Sequence, residues 1–199
     1  MLQVWRIVNR VFTSNTYVIY SEGSSDYWLV DVGDFDSVLH TLPPEAKVKG
    51  VFLTHTHFDH IYGINELYRE FPNCEVYTSE YGKEALYSEK KNFSFYHEYP
   101  IVFEGNRITI LKEGDVVSLY PSVELRVYYT PGHCPSCLTY QIGDKLFTGD
   151  SYIPDVKVVS KLPKGNKDLA RASEQRIIDL SKDKDVYPGH GRVINNRKK

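Results

Sequence analysis

The chain has 199 residues, of which 41% are hydrophobic and 25% are charged, and its formal net charge is -2. This length allows one hydrophobic core, so we predict a single domain over residues 1–199, and the ordinary composition excludes a disordered or fibrous protein. The one basic cluster, at residues 197–199, is predicted to be a solvated tail, and no nucleic-acid partner is expected.

The amino-terminal segment, residues 1–28, has polar residues within every apolar run, so it predicts neither a signal peptide nor a membrane helix. The chain has three cysteines, and this small, odd number favours a reducing compartment over a disulfide framework. We therefore expect a cytoplasmic protein without a membrane partner.

The first half of the chain reads as strands separated by helices. Alternating apolar and polar residues predict strands, and the first three, joined by Ser, Gly and Asn turn residues, indicate an antiparallel meander. Helical spacing of apolar residues marks the segments between later strands. The predicted strands are 4–8, 16–20, 27–33, 48–54 and 75–79, and the predicted helices are 36–42, 61–72 and 80–88.

The second half is again rich in strands. We predict strands at 107–112, 116–119, 123–130, 138–143, 145–150 and 185–189, and a helix at 166–182. Because strands followed by helices occur in both halves, we predict an α/β protein in which two similar layers pack sheet on sheet, with the helices outside.

The segment HTHFDH is the first candidate for chemistry. It places His55, His57, Asp59 and His60 within six residues, directly after the strand VFLT. In an extended segment His55 and His57 point the same way, so two imidazoles can reach one metal. The turn that follows directs Asp59 and His60 toward a second metal.

Three further segments repeat one design, a short apolar strand followed by a glycine and a ligand-type residue. They are YYTPGHC, LFTGDSY and VYPGHG, which contribute His133, Asp150 and His190. Strand ends on one edge of a sheet can converge. The seven side chains exceed the four that close a structural zinc site and suit two divalent metal ions. Imidazoles with carboxylates favour zinc, with iron or manganese as alternatives.

HTHFDH followed by PGH, TGD and GHG resembles the metallo-β-lactamase superfamily across nearly the whole chain, including the acidic strand end LVDVGD. The resemblance implies an αββα sandwich of two mixed sheets. It places His55, His57 and His133 on one metal, Asp59, His60 and His190 on the other, and Asp150 between them. It also gives Asp31 an orienting role, although a turn-forming aspartate before Gly33 explains Asp31 equally well.

The ligand pattern resembles the glyoxalase II, lactonase and related hydrolase branch rather than true β-lactamases. We therefore expect a metal-dependent hydrolase in which a hydroxide held by two metals cleaves a thioester or ester of a small-molecule substrate, with Asp59 also orienting the hydroxide. Nine residues follow His190, so the helical domain with which typical glyoxalase II enzymes bind glutathione is expected to be absent.

Two other activities use the same scaffold or the same segment. A persulfide dioxygenase with one iron, or a lactonase, resembles this motif set. The spacing of Cys134 and Cys137 is that of a redox dithiol or half a zinc ribbon. The residues that follow alternate like a strand. A structural zinc needs a second ligand pair with matching spacing, which Cys74 alone cannot supply. We therefore interpret His133 as the working residue of PGHCPSC.

The residues that line the substrate pocket have two interpretations each. The aromatic loop at residues 92–99 can cover an apolar acyl group or belong to the core. Tyr152, Lys157, Lys161 and Lys164 can meet an anionic group or be solvated. The sequence makes no prediction of the oligomeric state.

Overall fold

Two β-sheets organise the chain, which a computed structural model describes over residues 1–196. The basic cluster at 197–199 lies outside the described residues. The first sheet has the order β1-β2-β3-β4-β5-β6, and the second has the order β11-β10-β9-β8-β7. Their strands are β1 (Leu2–Val8), β2 (Asn15–Ser21), β3 (Asp26–Val30), β4 (Lys47–Phe52), β5 (Glu75–Thr78), β6 (Ile108–Ile110), β7 (Val116–Tyr120), β8 (Val123–Tyr129), β9 (Leu138–Ile142), β10 (Lys145–Gly149) and β11 (Asp185–Pro188).

Both sheets are mixed, as predicted. Strands β1 to β3 pair antiparallel, which confirms the meander, and β3 to β6 then pair in parallel. In the second sheet β7 to β10 are antiparallel neighbours, whereas β10 and β11 are parallel. Strands β8, β10 and β11 therefore run in the same direction and end at the same edge.

The helices are short except the last, and two of the five α-helices within residues 1–196 have a side-chain cap at their start. The five are α1 (Phe35–Thr41), α2 (Phe58–Ile61), α3 (Ile64–Glu70), α4 (Glu80–Leu86) and α5 (Lys167–Leu180). The Ser79 hydroxyl accepts from the Gly82 amide to cap α4, and the Asn166 side chain accepts from two amides at the start of α5.

Two apolar clusters fill the space between the layers. One joins α1, α3 and α4 to the outer face of the first sheet through residues such as Val38, Leu67 and Leu86. The other lies between the sheets, where Phe52 and Tyr140 pack edge to face at 5.5 Å between ring centroids. Helix α5 lies over the far face of the second sheet, where Arg176 covers the Tyr128 ring. These layers confirm the predicted αββα sandwich.

The two halves of the chain differ in the number of helices that cover their sheets, whereas the sequence predicted similar halves. Four of the five helices of residues 1–196 belong to the first sheet, and α5 alone covers the second. The helix predicted at 61–72 is two helices, α2 and α3. The break lies at Gly63, where a Cβ atom would stand 2.2 Å from the Gly33 carbonyl oxygen, so a tight backbone contact replaces a helical turn. None of the helices within residues 1–196 has the length and apolar character needed to cross a bilayer.

Candidate metal centre

The structure brings together all seven side chains that the sequence selected. The ligand atoms of His55, His57 and His133 lie within 4.8 Å of one another, and so do those of Asp59, His60 and His190. The Asp150 carboxylate lies between the two groups, 3.6 Å from His133 Nε2 and 3.5 Å from His190 Nε2. The two groups match the two predicted ligand sets.

Strand direction explains this convergence. In the second sheet the parallel course of β8, β10 and β11 brings the segments after them to one edge, and these segments carry His133, Asp150 and His190. In the first sheet β3 and β4 are parallel, and the residues after their ends include Asp31 and His55. The Thr54 carbonyl accepts the Leu138 amide at 2.7 Å, which ties the two edges together.

Within HTHFDH the chain changes from extended to helical, whereas the sequence predicted a turn there and a helix only from residue 61. His57 has extended backbone angles and is the residue before α2, which contains Asp59 and His60 in its single turn. His55 and His57 therefore reach one group, whereas His60 reaches the other. His60 Nε2 lies 3.4 Å from Asp59 Oδ2 and 3.3 Å from His190 Nε2.

Three of the imidazoles are held by the ring nitrogen that faces away from the centre. His60 Nδ1 lies 2.9 Å from Asp31 Oδ2, and His133 Nδ1 lies 2.7 Å from the Val159 carbonyl oxygen. His190 Nδ1 lies 3.0 Å from the Phe12 carbonyl oxygen. Because these oxygens only accept hydrogen bonds, each Nδ1 carries a proton, and Nε2 is the ring nitrogen that faces the centre.

The inward ring nitrogens face one another at short range. His60 Nε2 and His190 Nε2 are 3.3 Å apart, and His133 Nε2 is 2.9 Å from His57 Nδ1. Two lone pairs at such distances repel unless a proton or a metal cation lies between them. The arrangement is that of metal ligands oriented by outer hydrogen bonds.

Within the centre, two buried acceptor atoms have no hydrogen-bond partner among the described residues. They are His55 Nε2 and Asp150 Oδ1. His55 Nδ1 donates to Thr54 Oγ1 at 3.2 Å, because that hydroxyl gives its own proton to Asp31, so His55 Nε2 is an unprotonated acceptor. A buried acceptor without a donor is costly, and a divalent cation satisfies both atoms. The donor set therefore fits a metal centre.

The pKa shifts of the carboxylates and imidazoles show that the centre favours a positive charge. Burial opposes ionisation of Asp150, but His60, His190 and His133 outweigh it and lower the Asp150 pKa to about 2. Burial likewise opposes protonation of His190, but Asp150 and Asp59 raise its pKa to about 9. Burial and the neighbouring imidazoles lower the pKa of His55 well below its usual value. Burial also opposes protonation of His60, but Asp59, Asp150 and Asp31 raise its pKa, so the carboxylates favour positive charge on both imidazoles.

Two glycines let the ligand loops approach closely. Gly132, before His133, has a φ of +133°, and a Cβ atom there would lie 2.1 Å from the Ala170 amide nitrogen of α5. Gly189, before His190, would place a Cβ atom 2.2 Å from Asp150 Oδ1. The sequence predicted this use of glycine beside each ligand.

Asp31 combines the two roles that the sequence left open. Its φ is +57°, so it does form the turn before Gly33. Its carboxylate also contacts His60 and accepts from the Thr54 amide and hydroxyl, both at 2.7 Å. Thr54 was missed by the sequence analysis, although its place directly before HTHFDH is a signal. Ser136 was missed as well, and its hydroxyl accepts from the Thr56 amide at 3.2 Å.

The aromatic loop reaches the centre through Phe93. The Phe93 ring is 4.8 Å from the His57 ring, whereas Phe95, Tyr96 and Tyr99 are 47%, 75% and 74% exposed. Burial in the core is therefore the wrong explanation for those three side chains. Lys157, Lys161 and Lys164 are exposed, and Tyr152 is half-buried.

The cysteines of PGHCPSC are buried beside the centre rather than in a redox domain. Cys134 precedes a turn, and the residues from Leu138 onward form β9, as the alternating pattern predicted. The helix start expected of a thioredoxin-like dithiol is not found in this segment of the described chain.

Two curated relatives and one solved structure show what the chain resembles. Glyoxylase B2 of Dictyostelium discoideum is 31% identical over 149 residues, which cover 73% of this chain and 50% of that protein. A hydroxyacylglutathione hydrolase of Tolumonas auensis is 27% identical over 199 residues, which cover 98% of this chain and 68% of that protein. The chain thus spans half of the first relative and about two thirds of the second.

The crystal structure of the B3 metallo-beta-lactamase BLEG-1 has a TM-score of 0.87 and 25% identity, with 96% of this chain and 93% of that chain covered. The family model of the metallo-beta-lactamase superfamily matches residues 9–190, a range that contains all seven side chains of the centre. The match confirms the predicted resemblance. The chain belongs to the metallo-beta-lactamase superfamily.

Proposed function

We propose that the protein is a metal-dependent hydrolase that holds two divalent metal ions, preferentially zinc, and cleaves a thioester or ester of a small-molecule substrate. The observation that supports the proposal is the pair of ligand groups with Asp150 between them, in which outer hydrogen bonds orient four of the five imidazoles. Metals bound there would lower the pKa of a water molecule and polarise the substrate carbonyl.

The protein's own residues divide the remaining work. Asp59 Oδ2 lies 3.2 Å from His190 Nε2, and its side chain is 13% exposed, more than that of His60. The surrounding imidazoles lower the Asp59 pKa against the effect of burial, so the carboxylate stays ionised. An ionised carboxylate at the opening can accept a hydrogen bond from an attacking water and orient it. Phe93, beside His57, offers an apolar wall to an acyl group.

The choice of thioester and ester substrates rests on the relatives. The Tolumonas auensis protein is named for hydrolysis of hydroxyacylglutathione, whose acyl group is joined to a sulfur. The lactamase name of the structural neighbour supports hydrolysis of an acyl bond more generally. A thioester needs no protonation of its leaving thiolate, so this centre needs no separate general acid for that reaction.

A panel of thioesters, esters, lactones, phosphodiesters and a β-lactam tests the proposal on protein whose metal content has been measured. We expect about two metals per chain and turnover of thioesters or esters. His57→Ala should lower metal content and hydrolysis together. His40→Ala is the matched control, because His40 is exposed on α1 and contacts only its own helix.

Two results would contradict the proposal. If metal-depleted His57→Ala still hydrolyses its substrate, the reaction does not depend on the metal. One iron per chain with thiol-dependent oxygen consumption, and no hydrolysis, would instead indicate the dioxygenase that shares this motif set.

A further inference from the structure

Cys134 and Cys137 form a buried thiol pair directly below the loop that carries His133. Their sulfur atoms are 3.4 Å apart, and the residues are 3% and 1% exposed. Pro135 and Ser136 occupy the centre of the turn that joins them, and the Cys137 amide donates to the Cys134 carbonyl oxygen at 3.5 Å. The proposed hydrolysis uses neither thiol.

The turn supplies the geometry of a disulfide. The first and fourth Cα atoms of a four-residue turn lie within about 7 Å, and disulfides span Cα separations of about 4.4–6.8 Å. Bond formation requires the two sulfur atoms to approach from 3.4 Å to about 2.0 Å. A side-chain rotation with a small backbone shift in the turn achieves this.

That movement breaks contacts that reach the HTHFDH segment. Cys134 Sγ lies 2.9 Å from Ser136 Oγ, and Ser136 Oγ accepts from both the amide and the hydroxyl of Thr56 at 3.2 Å. Thr56 lies between His55 and His57. When the Cys134 sulfur moves away, the Ser136 hydroxyl loses one of its partners. That hydroxyl holds Thr56 and thereby positions His55 and His57.

The backbone on the other side of Cys134 cannot absorb the shift. Gly132 is packed against the first turn of α5, where even a Cβ atom would meet the Ala170 nitrogen at 2.1 Å, and its amide donates to the Cys134 carbonyl at 3.4 Å. His133 lies between Gly132 and Cys134. A shift of Cys134 is thus transmitted to the His133 ring.

We propose that Cys134 and Cys137 are a reversible oxidation site, at which a peroxide closes a disulfide that displaces His133 and releases metal from the centre. The oxidant is a peroxide because thiols this buried admit only a small molecule. The Cys134 sulfur attacks the peroxide O–O bond, which gives a sulfenic acid and water or an alcohol. The Cys137 thiol then attacks that sulfur, the S–S bond forms, and a second water leaves.

A small dithiol reverses the reaction. Its first sulfur attacks the disulfide, its second closes the reagent into a cyclic disulfide, and both protein thiols are regenerated. Two electrons leave the protein on oxidation and return on reduction, so the cycle is balanced. Metal rebinding then restores the reduced centre.

The test uses the full chain loaded with zinc and treated with hydrogen peroxide. We expect two of the three thiols to disappear, a mapped link between Cys134 and Cys137, and loss of most of the bound zinc to a chromogenic chelator. Metal affinity should fall about 10-fold or more, the effect typical of disturbing groups that orient ligands. Dithiothreitol with added zinc should reverse each change.

Matched variants separate the pair from other oxidation. Cys137→Ser should keep its zinc under the same treatment, and Cys134→Ser serves the same purpose if the first variant fails to fold. Cys74→Ser should behave as the wild type, because Cys74 belongs to the cluster between the first sheet and its helices. Peptide mapping and zinc release need no substrate, so they test the inference even if hydrolysis is not found.

Three outcomes would overturn the inference. The first is an unlinked Cys134–Cys137 pair after treatment. The second is a complete disulfide with zinc still bound. The third is equal zinc loss in wild type and Cys137→Ser, which would place the sensitive group elsewhere.

Discussion

The Thr54 hydroxyl contacts His55 directly and contacts Asp31, which in turn contacts His60. It donates to Asp31 Oδ2 at 2.7 Å and accepts from His55 Nδ1 at 3.2 Å. Thr54→Val keeps the shape of the side chain but removes both bonds, so zinc affinity should fall about 10-fold or more in competition with a chelator. Thr54→Ser keeps the hydroxyl and should stay near wild type. Equal affinities of the two variants would show that the hydroxyl does not orient His55.

Asp31 makes three hydrogen bonds with two carboxylate oxygens. Asp31→Asn puts an amide nitrogen, which cannot accept, where either His60 or Thr54 needs an acceptor. Zinc affinity should fall by about 10- to 100-fold, measured by competition. Asp34→Asn is the control, because Asp34 is also buried but bonds Arg10 and no imidazole. Unchanged affinity in Asp31→Asn would contradict the orienting role.

The seven side chains could be predicted from the sequence because each stands in a short motif at a strand end. Most of their outer partners could not. The Val159 and Phe12 carbonyls bind His133 and His190, yet any residue has a carbonyl oxygen, so these contacts leave no signal in the sequence. Asp31 was found through the resemblance, and Thr54, next to its histidine, could have been found as well.

At the scale of elements, the approach of the PGH loop to α5 sets the position of His133. Gly132→Ala would place a Cβ atom against the Ala170 nitrogen at a φ of +133°. We expect the free energy of unfolding to fall by about 2–5 kcal/mol from strain and overpacking, with loss of bound metal. Urea denaturation and metal analysis measure the two effects.

Gly143→Ala is the control for backbone strain alone. Gly143 has a φ of +56°, and a Cβ atom there would meet nothing within 4 Å. It should cost about 1–2 kcal/mol and leave the metal in place. If both variants keep their metal equally, close packing against α5 does not position His133.

The elements themselves could largely be predicted from apolar periodicity. The exception is informative: residues 61–72 have helical spacing throughout, yet Gly63 breaks the helix because its backbone packs on Gly33. Contacts between segments thirty residues apart override local spacing. Similarly, repetition of strand and helix suggested equal halves, but it carried no information on which sheet each helix would cover.

For the whole molecule, the metal centre lies where both sheets end and where segments from both halves of the chain meet. The Asn15 side chain donates to the Pro188 carbonyl, and the Asn15 backbone amide donates to the Gly189 carbonyl. The Tyr140 hydroxyl donates to the Leu53 carbonyl of the other sheet. The ligands add a further set of links between the same sheets. Bound metal should therefore stabilise the sandwich as a unit, and not only order a loop.

Removal of metal should destabilise the entire fold. A ligand at 1,000 times its dissociation constant contributes about 4 kcal/mol, which is about 8–16 °C in Tm for a protein of this size. A chelator should lower Tm by that amount in calorimetry, and added zinc should restore it. In Asp150→Asn the shift should be smaller, because the group between the two ligand sets is weakened. An unchanged wild-type Tm would mean that the two sheets hold this edge together without metal, and that the inward lone pairs are satisfied by protons alone.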